Sequence, residues 1–136
     1  MHNTRRGAET LNAMARVVSE RLGGGWLRLY AGIRPADPDT LPDPERGQVL
    51  LAQLRFSDPA FGSPRRGVIV ATPFAEFERE APATGTASWF RATAPGGETV
   101  LEGTVGASDA ALILDDPKIP RGAEVVITRF SYAVEA

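Results

Sequence analysis

The hydrophobic periodicity of the chain changes once, at three consecutive glycines, Gly23, Gly24 and Gly25. Before them, residues 8–22 space their apolar side chains as one face of an α-helix does. After them, "GWLRLYAG" alternates apolar and polar side chains, the spacing of a half-buried β-strand. Because glycine readily adopts the left-handed conformation that ends a helix, the triplet predicts a helix C-terminus. A phosphate-binding loop is disfavoured, since such a loop precedes its helix and is followed by Lys and Ser or Thr.

The rest of the chain has the pattern of short strands separated by turns. "QVLLAQLRF" predicts a strand and "VIVA" a short buried strand. Further strands are predicted near residues 84–94, 98–105, 110–114 and 123–134. Residues 34–47 contain four prolines among several acidic residues, which predicts a long surface loop. "TPFAEFEREA" fits either a short helical turn or an irregular strand.

One helix followed by about seven short strands predicts a mainly β fold. We expect an antiparallel β-sandwich or jelly-roll-like domain preceded by one N-terminal α-helix. The chain has 136 residues, the size of one ordinary domain. The predicted organisation is an N-terminal arm and helix over residues 1–24, and a single antiparallel β-domain over residues 25–136.

A β-hairpin is predicted around "PGG" at residues 95–97, because proline presets the first central position of a turn and glycine accepts a positive φ at the next. In the simplest register Ala94 faces Glu98, Arg91 faces Leu101, and Trp89 faces Gly103. Arg91 then has no carboxylate opposite it, and Gly103 leaves room for the Trp89 ring. Both faces of the strand carry large apolar groups, which predicts cover on both sides, within a sandwich or by a neighbouring subunit.

Composition removes most familiar kinds of active site. The chain has no cysteine, and its single histidine is His2, next to the terminus. Thiol chemistry and disulfides are therefore excluded, and a Ser-His-Asp system or a zinc site is disfavoured. Neighbouring carboxylates in residues 37–45, and at Asp115 and Asp116, are interpreted as turn formers, since the spacing of a calcium loop is missing. A metal site, or a small hydrolase that uses Asp115 and Asp116, is the alternative.

The overall charge and hydropathy limit the partners. The net charge is −2, so no basic field favours nucleic acid. No apolar run approaches the length of a membrane span, and the N-terminal residues do not resemble a secretory signal. We therefore predict a protein that is not an enzyme, has no catalytic residues, cofactor or metal, and binds neither nucleic acid nor membrane.

Several segments together resemble one protein family. "ATGTASWFRA", then "EGTVG", then "RGAEVVITRFSYAV" are similar to small virion proteins of tailed bacteriophages and phage-like particles, described as minor capsid, head-decoration or head-spike-like proteins. The likeness continues upstream in "LRLYAGIRPADPDT" and "LLAQLRFSDPAFG", and it covers roughly residues 10–134. These motifs are structural and bring no catalytic residues. The resemblance implies a particle component without enzymatic activity that assembles as a symmetric oligomer on the capsid.

The preferred hypothesis is a minor capsid or decoration protein that binds and stabilises the major capsid protein lattice as a homo-oligomer, with a trimer favoured. It would be located in the virion, on the head surface rather than the tail, and in the host cytoplasm during assembly. A tail or spike component is one alternative. A β-sandwich carbohydrate-binding module is another, with Trp26, Tyr30 and Trp89 as an aromatic platform. The predicted interface residues are Arg5, Arg6, Leu11, Met14, Val18, Trp89, Phe90 and Arg91.

Overall fold

The computed structural model describes residues 6–134. It is mainly β with one N-terminal helix, which confirms the predicted fold class. Helix α1 spans Ala8–Leu22, as the sequence predicts. The strands are β1 (Trp26–Tyr30), β2 (Leu50–Arg55), β3 (Val68–Val70), β4 (Gly85–Thr86), β5 (Trp89–Thr93), β6 (Thr99–Gly106), β7 (Leu112–Ile113), β8 (Lys118–Ile119) and β9 (Arg129–Ala133), with a 3₁₀ turn at Pro44–Arg46.

Seven strands form one sandwich-like mixed sheet in the order β2-β1-β5-β6-β7-β9-β3, and β4 pairs with β8 as a separate ribbon. Strands β6 and β7 run parallel, whereas the other pairs in the described part of the chain are antiparallel. The segment "TPFAEFEREA", which fitted either a short helical turn or an irregular strand, is irregular and extended. It bridges Arg55 to Glu76 and Glu78 to Val125. The sheet therefore curls, because this segment links edge strand β2 to the chain that leads into β9.

Two strand predictions need correction. Strand β3 is not buried as expected: Val68 is 41% exposed and Val70 is 50% exposed, whereas Ile69 between them is 1% exposed. The reason is its position at the edge of the sheet, where only one face is covered. Strand β8 lies in residues 115–122, between the strands predicted near 110–114 and 123–134, where the sequence predicted no strand. Its pairing with the distant β4 has no local signal.

Aromatic rings fill the core, and the helix closes it. Phe130 contacts Phe90, Phe61 and Phe56, with ring centroids 5.0, 5.5 and 6.2 Å away. Ala15 and Leu22 of α1 are fully buried in the same cluster. The helix and the β-strands therefore share one hydrophobic core.

The glycine triplet ends the helix as predicted. The N–H of Gly23 donates to the carbonyl of Ser19 at 3.1 Å, the last bond of the helical ladder. Gly24 then takes a φ of 71°, in the left-handed region where a side chain is disfavoured. Strand β1 follows directly, so the reversal from helix to sheet is completed within the triplet.

The β5–β6 hairpin has the predicted turn but not the predicted register. Ala94 and Glu98 are joined by an N–H···O bond of 2.9 Å, as expected. Thr93 then pairs with Thr99 and Ala92 with Leu101, so the intervening residue of β6 forms a β-bulge. Beyond the bulge every pairing moves by one residue, and side chains exchange faces. The predicted partners of Arg91 and Trp89 are therefore wrong.

Candidate interaction site

A row of polar side chains crosses four strands on the face of the sheet opposite the core. Strand pairing places Gln53, Arg28, Arg91 and Glu102 side by side. Arg91 Nε donates to Glu102 Oε2 at 2.7 Å, and both side chains are buried, with exposed fractions of 6% and 7%. Arg28 Nε donates to Gln53 Oε1 at 2.8 Å. The bulge in β6 creates this row, because it brings Glu102 rather than Leu101 opposite Arg91.

Aromatic rings support the buried guanidinium. Tyr30 and Trp89 are paired across β1 and β5, and their rings stack with centroids 4.4 Å apart. Trp89 Nε1 donates to the carbonyl of Ala31 at 3.1 Å, so the indole is fixed. The Arg91 guanidinium carbon lies 5.5 Å from the Trp89 ring centroid, within cation–π range. Arg91 Nη2 is buried and has no hydrogen-bond acceptor among residues 6–134. The cation–π contact with Trp89 therefore adds stabilisation to a guanidinium whose hydrogen bonds are incomplete.

The same face anchors residues 32–48, called here the 32–48 loop. Arg91 Nη1 donates to the carbonyl of Thr40 at 2.6 Å. Thr99 Oγ1 donates to the carbonyl of Pro38 at 2.9 Å. At the base of the loop, Gln48 Nε2 donates to the carbonyl of Ile33 at 2.7 Å. The surface loop predicted from proline content is therefore held in one conformation by side chains of the sheet.

The anchored loop exposes two large apolar side chains. Ile33 is 85% exposed and Leu41 is 82% exposed, the highest values among the large hydrophobic residues that the structure describes. Leu41 lies directly after Thr40, whose carbonyl the Arg91 guanidinium binds. The buried Arg91 thus binds the backbone next to Leu41, whose apolar side chain lies in solvent. A side chain on an anchored backbone loses less conformational entropy when it makes a contact, which favours binding.

A shallow polar groove of about 390 Å³ separates the loop from the β5–β6 hairpin. Arg28 and Arg91 line it from the sheet, and Asp39 and Glu98 line it from the loop and the hairpin. These charges have both signs: Arg91 is buried at the sheet, whereas Asp39 and Glu98 are exposed. The groove therefore selects neither an anionic nor a cationic ligand by charge. Tyr30 also lines it, and burial raises the pKa of the Tyr30 phenol above 10.0, with Arg28 and then Arg91 opposing the rise.

The raised pKa of Tyr30 predicts a loss of stability in alkali. The folded chain holds the phenol proton more tightly than the unfolded chain, so this contribution is complete below the unfolded pKa of about 10 and disappears as the pH rises through the folded pKa. Between about pH 9 and about pH 11 we expect the unfolding free energy of the wild type to fall as the pH rises, and that of Tyr30→Phe to fall less steeply. Urea unfolding at several pH values measures this, with Tyr132→Phe as the matched variant. An unchanged slope in Tyr30→Phe would contradict the prediction.

A second concavity, of about 560 Å³, lies between strand β3, residues 72–77 and residues 126–130, and is called here the β3–β9 groove. Its apolar lining includes Leu54, Val70, Phe74, Phe77, Val126 and Ile127. Val70 and Val126 are 50% and 59% exposed and stand at its rim. Arg129 is its charged lining residue, and it forms no salt bridge with any described residue. The groove therefore suits an apolar side chain accompanied by an acidic one.

The structure distributes the predicted interface residues between core and surface. Leu11, Trp89, Phe90 and Arg91 are buried within the chain, with exposed fractions of 7% or less. Their side chains serve the fold and the anchoring of the 32–48 loop. Val18 is half-buried against the core, whereas Arg6 and Met14 are exposed. Arg5 lies outside the described residues. The predicted contact role of the exposed members stays a prediction.

The aromatic platform proposed for carbohydrate does not form. Tyr30 and Trp89 are 7% and 3% exposed and cover each other. Trp26 is half-buried, and the guanidinium carbons of Arg55 and Arg28 lie 5.2 and 5.8 Å from its ring centroid. The three rings therefore do not present a shared exposed face on which a sugar could stack.

Among the neighbouring carboxylates, Asp116 forms a turn as the sequence predicts, since it accepts from the N–H of Lys118 at 3.0 Å. Asp115 instead accepts from Thr128 Oγ1 at 2.9 Å, a bond between residues 13 positions apart. In the 32–48 loop, Asp43 accepts from the N–H of Glu45 at 2.9 Å. Residues 6–134 contain no cluster of three His, Cys, Asp or Glu that could hold a metal ion. His2 lies outside that range. Within the same range, no helix is long and apolar enough to cross a membrane.

Sequence reasoning missed Leu41, Val70 and Val126 as candidate contact residues. A single leucine between prolines has no periodicity, and the two valines belong to runs that indicate buried strands. The available signal in the sequence was a large apolar residue, Leu41, within an acidic, proline-rich segment predicted to lie at the surface. No protein-family model, curated protein or solved structure matches this chain.

Proposed function

We propose that this chain is a structural virion protein of a tailed bacteriophage or phage-like particle. It is a minor capsid or decoration protein that binds the head lattice as a homo-oligomer. The observation that carries the proposal is the anchored 32–48 loop, in which the buried Arg91 binds the backbone beside an exposed Leu41. A side chain held in this way has a purpose in contact rather than in the monomer's own stability.

The two concavities support a contact role over a catalytic one. The β3–β9 groove has apolar walls and one arginine, a composition that resembles the centre of a protein interface. In the polar groove, Arg28 and Arg91 already bond to Gln53, Glu102 and the carbonyl of Thr40, and these bonds hold strands or the loop. The resemblance of "TGTASWFR" and "EGTVG" to virion proteins favours a particle as the site of that contact.

Mass spectrometry of purified particles tests this proposal. We expect peptides of the chain in intact, nuclease-treated particles banded in a density gradient, in constant ratio to the major capsid protein. Particles made without its gene should lack these peptides and lose DNA at lower temperature, and supplying the gene in trans should restore both. Absence of the chain from intact particles would refute the virion role. Labelling of the chain in electron micrographs separates a head from a tail location.

A further inference from the structure

We propose that the 32–48 loop of one copy docks into the β3–β9 groove of the next, so that copies join head to tail. The inference rests on the self-assembly in the proposed function and names its two surfaces. The loop lies against β5 and β6, through Arg91 and Thr99, whereas the groove opens beside β3 and β9. Because the two surfaces differ, the contact is heterologous, and it forms a closed ring when the rotation between copies allows closure.

Leu41 is the anchor of this contact. It is 82% exposed, yet the residue before it is bound through its carbonyl by Arg91 and the residue after it is proline. Proline fixes φ at the next position, so the backbone on both sides of Leu41 is restrained. A side chain held ready in this way loses little conformational entropy on docking, which favours affinity. Ile33, 85% exposed, is the second large apolar side chain that the same loop leaves in solvent.

The groove offers the complementary surface. Phe74 and Phe77 line it together with Ile127, and the exposed Val70 and Val126 stand at the rim. Its volume of about 560 Å³ lies in the range of pockets that enclose small apolar groups. Covering it with an aliphatic side chain removes apolar surface of both partners from water, the main driving force of association.

Charge selects a second copy as the occupant. The 32–48 loop carries Asp37, Asp39, Asp43 and Glu45 against Arg34 and Arg46, so it is acidic. Asp39 stands two positions before Leu41 and forms no salt bridge with any described residue. On the groove side Arg129 is likewise unpaired in the described part of the chain. The acidic loop therefore carries the sign of charge that Arg129 attracts, and we pair Asp39 with Arg129 of the neighbouring copy.

Sedimentation velocity of the purified chain tests the contact. We expect the wild type to self-associate, and Leu41→Glu or Val126→Glu to weaken that association by about 30-fold or more, as loss of an interface anchor does. Both residues are exposed, so circular dichroism and thermal unfolding should stay at wild-type values. Val17→Glu, at a residue of the helix that is 47% exposed and is not among the predicted interface residues, is the matched control and should associate normally. A monomeric wild type would overturn the inference, as would dissociation by Val17→Glu but not by Leu41→Glu.

Mixing and charge exchange test the orientation of the contact. Leu41→Glu retains an intact groove and Val126→Glu an intact loop, so a mixture of the two should form a dimer that neither forms alone. Asp39→Arg and Arg129→Asp should each weaken association, and the double variant should regain at least about tenfold of the loss. Failure of both rescues would refute the loop–groove contact. The virion role is refuted separately. If the chain is absent from particles but its self-association still depends on Leu41, the contact stands and the proposed function is wrong.

Discussion

Replacing Gly103 with valine is expected to destabilise the fold by about 3 kcal/mol, near the upper end of the usual cost of overpacking. A β-carbon at this position would lie 2.5 Å from Phe90 Cε2 and 2.8 Å from Cζ. Phe90 cannot move aside, because it is 1% exposed and packs edge-on against Phe130 with centroids 5.0 Å apart. Urea unfolding followed by tryptophan fluorescence measures the change in the unfolding free energy.

Two variants show whether the clash is the cause. Gly62→Val is the matched control, because the nearest heavy atom to a β-carbon at Gly62 is the carbonyl oxygen of Val70, 3.8 Å away. It should change the unfolding free energy by less than about 1 kcal/mol. Phe90→Leu in the Gly103→Val background should recover part of the lost stability, since the smaller leucine leaves room for the valine side chain. A Gly103→Val protein as stable as the wild type would mean that the hairpin register described here is wrong.

Replacing Glu102 with glutamine is expected to cost about 3 kcal/mol, the lower end of the range for breaking a buried ion pair. Glutamine keeps the size of the side chain but leaves the Arg91 charge uncompensated at a site where the side chain is only 6% exposed. Urea unfolding at neutral pH measures the loss. Glu98→Gln, an exposed carboxylate of the same hairpin, is the control and should stay within about 0.5 kcal/mol of the wild type.

A double variant separates charge from loop anchoring. Arg91→Met with Glu102→Leu removes both charges, so it should be more stable than Glu102→Gln alone. It also removes the bond from Arg91 to the carbonyl of Thr40. Amide exchange in the 32–48 loop should therefore become faster even where global stability recovers. A double variant less stable than Glu102→Gln would contradict an electrostatic origin of the loss.

The Arg91 environment links this second prediction to the proposed contact. The hydrogen bonds of Arg91 reach Glu102 on β6 and Thr40 in the 32–48 loop, and its guanidinium lies over the Trp89 ring. In the contact proposed above, Arg91 would act as a positioning residue, because the exposed Leu41 and not Arg91 would meet the neighbouring copy. The sequence-based expectation that "WFR" marks the interface stays a prediction. In the structure Trp89, Phe90 and Arg91 are buried within the chain, and Arg91 binds the 32–48 loop.

Local chemistry was sufficient for the features that a few neighbouring residues decide. Helix α1 begins and ends where the apolar spacing and the glycine triplet predict, since helix propensity and capping act within a turn or two. The alternation in β1 and the "PGG" turn follow in the same way. The surface position of the proline-rich 32–48 loop was also predictable, because proline cannot donate to a sheet ladder.

Contacts between distant residues decided the rest. A single bulge in β6 moved Glu102 opposite Arg91 and Phe90 opposite Gly103, and no local preference distinguishes this register from the simpler one. The edge position of β3, which leaves Val68 and Val70 exposed, depends on its pairing with β9 more than 60 positions along the chain. The sequence by itself therefore determined the helix, the turns and the mainly β class. Only the tertiary structure decided the buried ion pair, the anchored loop and the apolar groove, because each is assembled from segments that meet only after the sheet has folded.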